Sequence, residues 1–140
     1  MPRNTLQREA IREVFLRQDR PLQVAEVLDL GRKLAPSLDQ ATVYRNLKRL
    51  VEEGWLLRIS SPHLGTVFER SGKGHHHHFY CRVCERLLEL DGCAMKPLDA
   101  CAPKGFHTEG HEVYLHGVCK DCGGAKALLQ PRRGLREMGP

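Results

Sequence analysis

Two cysteine pairs constrain the fold of this chain more than any other feature of its sequence. Cys81 and Cys84 form one Cys-X-X-Cys pair, and Cys119 and Cys122 form the other. Each pair places two thiolates where one ion can hold both, and four sulfurs complete a closed tetrahedral site that suits zinc. The 34 residues between the pairs, 85–118, exceed the span of a compact zinc ribbon, so a whole subdomain must lie between them. The pattern predicts a structural zinc ion that stabilises the fold.

Two unrelated pairs, or redox disulfides, are the alternative interpretation of this pattern. In a reducing compartment, paired cysteines indicate metal or redox chemistry more often than structural disulfides. The surrounding sequence lacks the helix-start setting that is typical of a redox Cys-X-X-Cys. Cys93 and Cys101 fall outside the pattern, and we predict that they are small buried hydrophobic residues.

The composition predicts a soluble globular protein of one larger or two small domains. The chain has 140 residues, of which 41% are hydrophobic and 28% charged. It has no apolar run near the ~18 residues that a membrane span needs, and its charged N-terminus lacks the apolar core of a signal peptide. We therefore expect a cytoplasmic protein. The net charge is +5, and residues 1–70 carry 12 Lys/Arg against 9 Asp/Glu, which is weak support for nucleic acid binding.

The first half of the chain is predicted to form three helices and a β-hairpin. Thr5 is expected to cap the first helix, and Pro36 is expected to end the second. The third helix, capped by Ser37 or Asp39, is expected to run to Glu53. The segments that follow have strand–turn–strand chemistry, WLLRIS then SPHLG then TVFER. Three helices followed by a hairpin is the winged-helix order.

The second half follows a short flexible linker, residues 71–74. Three segments resemble short strands next to the cysteine pairs, FYCRVC, RLLEL and EVYLHGVC. Residues 92–104 show a weak helical pattern that two prolines interrupt, and the tail 131–140 is predicted to be disordered. The predicted fold class is α+β, with a winged helix followed by a mixed domain that holds the zinc.

Four consecutive histidines, His75, His76, His77 and His78, precede the first cysteine pair. In an extended chain alternate residues point to opposite faces, so His76 and His78 would share one face, and His75 and His77 the other. The run can therefore serve two metal sites, and mixed histidine and carboxylate ligation suits Zn, Mn or Fe. A solvated polar hinge is the alternative. Further residues of metal-ligand type near this run are Glu69, Glu89 and His111.

The third helix carries a polar side next to its apolar stripe. A helix with tyrosine, arginine and lysine on one side suits the major groove of DNA, with basic groups on phosphates and some side chains on base edges. A solvated charged face is the alternative. The polar residues are Gln40, Thr42, Tyr44, Arg45, Lys48 and Arg49.

Four segments together resemble the ferric uptake regulator family of bacterial metal-dependent repressors. They are DQATVYRNLKRLVEEGWL, TVFER, HHHHFYCRVC and GFHTEGHEVYLHGVCKDC, and the likeness covers roughly residues 3–125. The resemblance implies a winged-helix domain at 1–70, a hinge at 71–74 and an α/β dimerisation and metal-binding domain at 75–130. It further implies a homodimer that binds a palindromic DNA operator when loaded with metal, with no enzymatic activity, no small-molecule substrate and no membrane partner.

The same resemblance assigns roles to individual residues. The cysteines of the two pairs match structural zinc ligands. Glu69, His76, His78 and Glu89 match a sensing site at the hinge, and His75, His77 and His111 match an additional site found in some members. Tyr44 and Arg45 match residues that contact DNA, and Arg3 and Arg8 match basic positions at the start of the domain; we add Gln40, Thr42 and Lys48 from the helix pattern.

The sequence departs from the family pattern at two ligand positions. Iron- and peroxide-sensing members usually have a histidine just before the second helix, where this chain has Leu22. Some zinc sensors have a histidine or aspartate on the first wing strand, where it has Leu57. The four-histidine run and the missing histidine favour the zinc uptake regulator subgroup, with manganese or iron as alternative sensed metals. His63, in the hairpin turn, is expected to lie near DNA. A metal-independent winged-helix regulator and, more remotely, a zinc enzyme are the competing functions.

Overall fold

A computed structural model of the chain describes residues 2–74, 76–90 and 102–123. These residues divide into two compact units, one up to Gly74 and one from His75 onward. The helices are α1 (Arg3–Gln18), α2 (Val24–Arg32) and α3 (Gln40–Glu52), and the strands are β1 (Leu56–Ser61), β2 (Gly65–Arg70), β3 (His77–Cys81), β4 (Leu87–Leu90) and β5 (Tyr114–Gly117). The predicted α+β class, with three helices and a hairpin before a second unit, is confirmed.

The first unit has its core between the three helices and the hairpin. Periodic apolar residues of each helix face inward, so that Ile11, Val27 and Val43 are all fully buried. Strand β1 pairs with β2 in antiparallel register from Leu56↔Arg70 to Ser61↔Gly65. The helices and the hairpin therefore share one core, which fixes the position of α3.

Leu22 lies in the centre of this core. Its backbone exchanges two hydrogen bonds with Phe68 of β2, at 2.8 and 2.9 Å, so the chain before α2 forms a third strand-like edge beside the hairpin. The Leu22 side chain has 0% exposure. A leucine here therefore contributes to packing, where a histidine would meet apolar neighbours.

Two predicted helix boundaries were wrong. Thr5 does not cap α1, which begins at Arg3 with Pro2 as its N-cap residue; the Pro2 carbonyl accepts the first helical hydrogen bond, from the Leu6 backbone N–H at 3.1 Å. Helix α2 ends at Arg32, before Pro36, because turns follow in which the backbone N–H groups of Leu34 and Ala35 both donate to the Gly31 carbonyl. No helix within the described ranges combines the length and apolar character needed to cross a membrane.

Part of the predicted linker is attached to the first unit. The backbone N–H of Ser71 donates to the Trp55 carbonyl at 3.1 Å, and Lys73 Nζ forms an ion pair of 2.6 Å with Asp19. The hydrogen bond from Lys73 lowers the pKa of the Asp19 carboxyl. The residues that leave the winged helix are therefore held by its own surface as far as Lys73.

The second unit contains a three-stranded sheet with the order β4-β3-β5. Strand β3 pairs with β4 in antiparallel fashion and with β5 in parallel. Strand β4 returns the chain to the edge at which β3 begins, and β5 starts from that same edge on the other side of β3. Several predictions lie wholly or partly outside the described residues: His75, Cys93, Cys101, most of the 92–104 segment and the tail 131–140.

Candidate functional site

The cysteine cluster (Cys81, Cys84, Cys119 and Cys122) is present as the spacing predicted. All four sulfurs lie within 4.8 Å of one another, and Cys84 Sγ is 3.9 Å from Cys119 Sγ. An ion with tetrahedral metal–sulfur bonds of about 2.3 Å separates its sulfurs by about 3.8 Å. Disulfide sulfurs would be about 2 Å apart. The cluster therefore has the dimensions of a four-thiolate metal site.

Parallel pairing of β3 and β5 brings the two cysteine pairs together. Cys81 is the last residue of β3 and aligns with Gly117 at the end of β5, so both chains turn at the same edge of the sheet. The first turn closes when the backbone N–H of Glu85 donates to the Cys81 carbonyl at 2.9 Å, with Glu85 in a left-handed conformation. The backbone N–H of Cys119 donates to Cys81 Sγ at 3.3 Å, which links the two turns.

Neighbouring groups lower the pKa of the Cys81 thiol and raise that of the Cys122 thiol. Burial acts to raise the pKa of Cys81, but backbone N–H groups of Cys84, Cys119 and Val83 stabilise its thiolate and bring the value to about 6. A hydrogen bond with Cys119 raises the pKa of Cys122 to about 12. Metal binding requires deprotonated sulfur, and the backbone N–H groups around Cys81 favour its thiolate.

A second set of metal-ligand residues lies at the start of β3. The rings of His76 and His78 are 5.1 Å apart, as the alternation of an extended chain predicts. Glu89 of β4 is the cross-strand partner of His78, and partners of this kind point to the same face. Within the described residues, the Glu89 carboxylate does not converge with both rings to the 4.8 Å spacing of the sulfurs.

The opposite face of β3 carries a further histidine pair. His77 is buried, and its ring lies 5.2 Å from that of His111. His75, predicted to join them, lies outside the described residues. The structure thus brings together two of the three residues expected in the additional site.

The first unit offers one candidate ligand, Glu69 of β2. Its carboxylate-bearing side chain is only 2% exposed, which is unusual for a glutamate. Its cross-strand partner is Leu57, which is 46% exposed. Since Leu22 is a core residue and Leu57 is apolar, neither position supplies the extra ligand that some family members have.

An N-cap at Asp39 fixes where α3 begins and so which residues lie on its polar side. Asp39 accepts a hydrogen bond from the Thr42 backbone N–H at 2.8 Å, which caps the helix and lowers the pKa of the Asp39 carboxyl. Tyr44 is 52% exposed, and Gln40, Arg45 and Lys48 are also exposed. Thr42 is largely buried, and its hydroxyl accepts a hydrogen bond from Arg45 at 3.1 Å. Thr42 therefore orients Arg45 instead of projecting outward.

Two clefts flank this side of α3. One, about 470 Å³, separates α3 from the hairpin and is lined by Tyr44, Lys48 and Arg58. The other, about 260 Å³, separates α3 from the start of α1 and includes Arg8 and Arg45 among its lining residues. Sequence analysis missed Arg58, which pairs across the hairpin with the core residue Phe68 and places its guanidinium over that ring; the alternation of β1 gave no signal for it, since position 58 shares a face with buried Leu56. His63, in the hairpin turn between β1 and β2, is half-buried.

Comparisons with known proteins confirm the resemblance seen in the sequence. The model of the ferric uptake regulator family matches residues 2–116. The ferric uptake regulation protein of Campylobacter jejuni is 36% identical over 92 residues, which are 64% of this chain and 59% of that protein. The Escherichia coli K12 protein of the same name is 29% identical over 124 residues, which are 84% of this chain and 81% of that protein. The chain thus spans less than two thirds of the Campylobacter relative.

Solved structures share the architecture. A zinc-bound manganese uptake regulator superimposes with a TM-score of 0.74 at 23% identity, covering 81% of this chain and 87% of that one; at this identity the likeness concerns the fold. The Vibrio cholerae ferric uptake regulator has a TM-score of 0.63 at 26% identity, covering 81% and 89%. Because the family model covers most of its length, this chain belongs to the ferric uptake regulator family.

Proposed function

We propose that this protein is a metal-responsive DNA-binding repressor of metal-uptake or metal-homeostasis genes, acting in the cytoplasm as a metal-loaded homodimer on a palindromic operator. One observation carries the proposal: β3 presents two kinds of metal-ligand set, thiols at its end and histidines before them. Thiolates favour tight, closed zinc sites, whereas histidine with carboxylate favours exchangeable ions. The family comprises transcription regulators and not enzymes, so the zinc-enzyme alternative is dropped.

The cysteine cluster would hold a structural zinc ion. Its four sulfurs leave no open position for a substrate or water, and its ligands come from two distant segments of the chain. Such an ion supplies folding energy, because its ligands are scattered when the chain is unfolded. We therefore propose that this zinc ion stabilises the pairing of β3 with β5 and has no sensing role.

The sensing site would combine Glu69 with His76, His78 and Glu89. The support is the shared face of the two histidines, the register of His78 with Glu89 and the burial of the Glu69 carboxylate. With no nitrogen ligand available from Leu22 or Leu57, a set of two imidazoles and two carboxylates fits four-coordinate zinc, which we favour over manganese and iron. His77 and His111, with His75, would form the additional site.

The switch would operate by population shift. Metal bound by ligands from both units would favour the orientation in which a dimer presents both α3 helices to DNA, about one helical turn apart. A hundredfold change in DNA affinity requires about 2.7 kcal/mol of differential binding. The coordination link between Glu69 and the histidines would have to supply that amount.

The test compares His78→Gln and Glu89→Gln with His107→Gln, an exposed histidine of the same unit. We expect the first two variants to fold normally and keep one zinc per chain, but to lose the metal-dependent part of DNA binding in a gel-shift titration. The control should behave as wild type. A full metal response in both site variants would refute the sensing site.

A metal-independent winged-helix regulator is the second candidate function, and the leucines at positions 22 and 57 are the observation that favours it. Zinc would then be purely structural. Metal analysis of the purified protein separates the two functions: one zinc per chain supports the metal-independent regulator, and two or more metal ions support sensing.

A further inference from the structure

Three arginines line the smaller of the two clefts beside α3. Arg8 reaches it from α1, and Arg45 and Arg49 reach it from α3. The other lining residues, Asn4, Gln7, Thr42 and Asn46, are uncharged. We call this the arginine cleft. Positions 42, 45, 46 and 49 recur at the three- and four-residue spacing that aligns side chains along one side of a helix, so the cleft is a built feature of α3.

The charge of the arginine cleft is not balanced by neighbouring carboxylates. In the parts of the chain that the structure describes, none of the three arginines forms an ion pair within 4.0 Å. Asp39 lies close enough to Arg45 to interact electrostatically, but its carboxylate caps α3 through the Thr42 backbone N–H. Three like charges around about 260 Å³ repel one another, and an anion in the cleft would relieve that repulsion.

The donors in the cleft are partly fixed in place. Arg45 donates to the Thr42 hydroxyl at 3.1 Å, which holds its guanidinium at the cleft wall. Arg8 Nε is buried and has no hydrogen-bond partner among the described residues. A buried N–H without a partner is costly, and a phosphate oxygen would satisfy it. Guanidinium groups match phosphate through paired N–H donors.

We propose that Arg49 completes, with Arg8 and Arg45, a binding site for one phosphate of the DNA backbone. The proposal rests on the proposed DNA-binding function and adds Arg49, whose role the sequence pattern did not separate from that of a solvated surface charge. The cleft adjoins the exposed side of α3 that carries Tyr44 and Lys48. When a helix occupies the major groove, the phosphates that border the groove lie along its flanks. A DNA phosphate is therefore favoured over a free anion.

The experiment measures how DNA binding depends on salt. Wild type, Arg49→Gln and Arg49→Lys are titrated, as full-length zinc-loaded chains, against two unrelated duplexes of about 25 base pairs, one A·T-rich and one G·C-rich. Arg17→Gln is the matched control, because Arg17 lies at the other end of α1 and forms a surface ion pair of 2.9 Å with Glu13. Both glutamine variants lose one positive charge. Thermal unfolding establishes that each variant is folded.

We expect Arg49→Gln to bind both duplexes about tenfold more weakly and to reduce the slope of log K against log salt by about 0.9 per bound chain. Arg49→Lys should fall between it and wild type, since lysine keeps the charge but not the paired donors. An unchanged slope, a loss on one duplex alone, or an equal loss in Arg17→Gln would overturn the phosphate assignment. If wild type binds neither duplex, the proposed function itself fails.

A second arm separates a DNA phosphate from a free anion. Inorganic phosphate is titrated into the DNA-free protein while its thermal unfolding is followed. A site for DNA backbone should give no saturable stabilisation below about 1 mM phosphate. Saturable stabilisation in that range that is absent in Arg49→Gln would overturn the DNA assignment and identify a free-anion site.

Discussion

Replacing Cys81 by serine tests the metal assignment at its most connected ligand. Cys81 ends β3, has 0% exposure, and accepts the hydrogen bond from the Cys119 backbone N–H at 3.3 Å. The substitution therefore removes one metal bond and the contact that links the two turns. Cys122→Ser, at a half-buried position on the second turn, would remove a metal ligand but leave the backbone contact between the two turns in place.

The expected loss of zinc-binding free energy follows from the number of ligands. A structural zinc site contributes about 10–16 kcal/mol of binding free energy at neutral pH, so one of four similar thiolates accounts for about 3 kcal/mol. This corresponds to zinc affinity about 100-fold weaker, since each 1.4 kcal/mol is about tenfold. We expect Cys81→Ser to reach at least this loss and Cys122→Ser to stay near it. The free energy of unfolding should fall as well, because the proposed ion would join the ends of β3 and β5.

The assay is competition for zinc with a chromophoric chelator, followed by circular dichroism of the same samples. Cys93→Ser is the control for thiol removal, because Cys93 is outside the two pairs and should leave zinc affinity unchanged. One zinc per chain bound by Cys81→Ser with wild-type affinity would refute the four-thiolate site. Equal loss in Cys93→Ser would refute the assignment of ligands by spacing.

Three smaller perturbations test the first unit. Gly31→Ala places a Cβ 2.6 Å from Leu38 Cδ2; the overpacking should outweigh the gain in helix propensity and lower the free energy of unfolding by about 1 kcal/mol in urea denaturation, and an increase would contradict the packing. Leu22→Ala should cost about 2–5 kcal/mol without changing metal stoichiometry, whereas loss of a metal would show a role at the sensing site. Lys73→Gln removes the group that lowers the pKa of Asp19. The stabilisation from the pair should be complete above the unfolded pKa of 3.8 and lost as the pH falls through the lower folded pKa. The free energies of unfolding of wild type and variant should therefore differ at pH 6, by less than about 1 kcal/mol for so exposed a pair, and converge in acid. A difference that does not change with pH would contradict the pairing.

Local features of the fold could be predicted from the sequence because each depends on a few neighbouring residues. Asp39 was one of two candidate caps for α3, and its carboxylate accepts the Thr42 N–H as helix capping requires. The alternation of His76 and His78 follows from the period of an extended chain. The cysteine spacing predicted four converging sulfurs without any knowledge of the sheet.

Long-range features could not be predicted in the same way. Nothing in the strand segments shows that β5 pairs with β3, and in parallel, because register is set by contacts between distant residues. The arginine cleft is of the same kind, since Arg8 and Arg49 are 41 positions apart in the sequence and meet only through the packing of α1 on α3. The error at Thr5 has a different cause: propensity favoured a threonine cap, and Pro2 allowed an earlier start.

The position of both ligand sets on β3 implies an asymmetric dependence between the two proposed metals. His78 precedes Cys81 by three residues, about 10 Å along a strand, and its partners Glu89 and Tyr114 belong to the strands on either side. The zinc in the cysteine cluster would maintain the β3–β5 pairing. Its loss should therefore also separate the ligands of the proposed sensing site. Loss of the proposed sensed metal should leave the sulfurs and the β3–β5 register unaffected. A chelator strong enough to empty the cysteine cluster should therefore abolish the metal response until the chain refolds with zinc. A weak chelator should remove only the sensed metal, so that DNA binding is lost and then recovers when that metal is added back, with the sheet intact throughout.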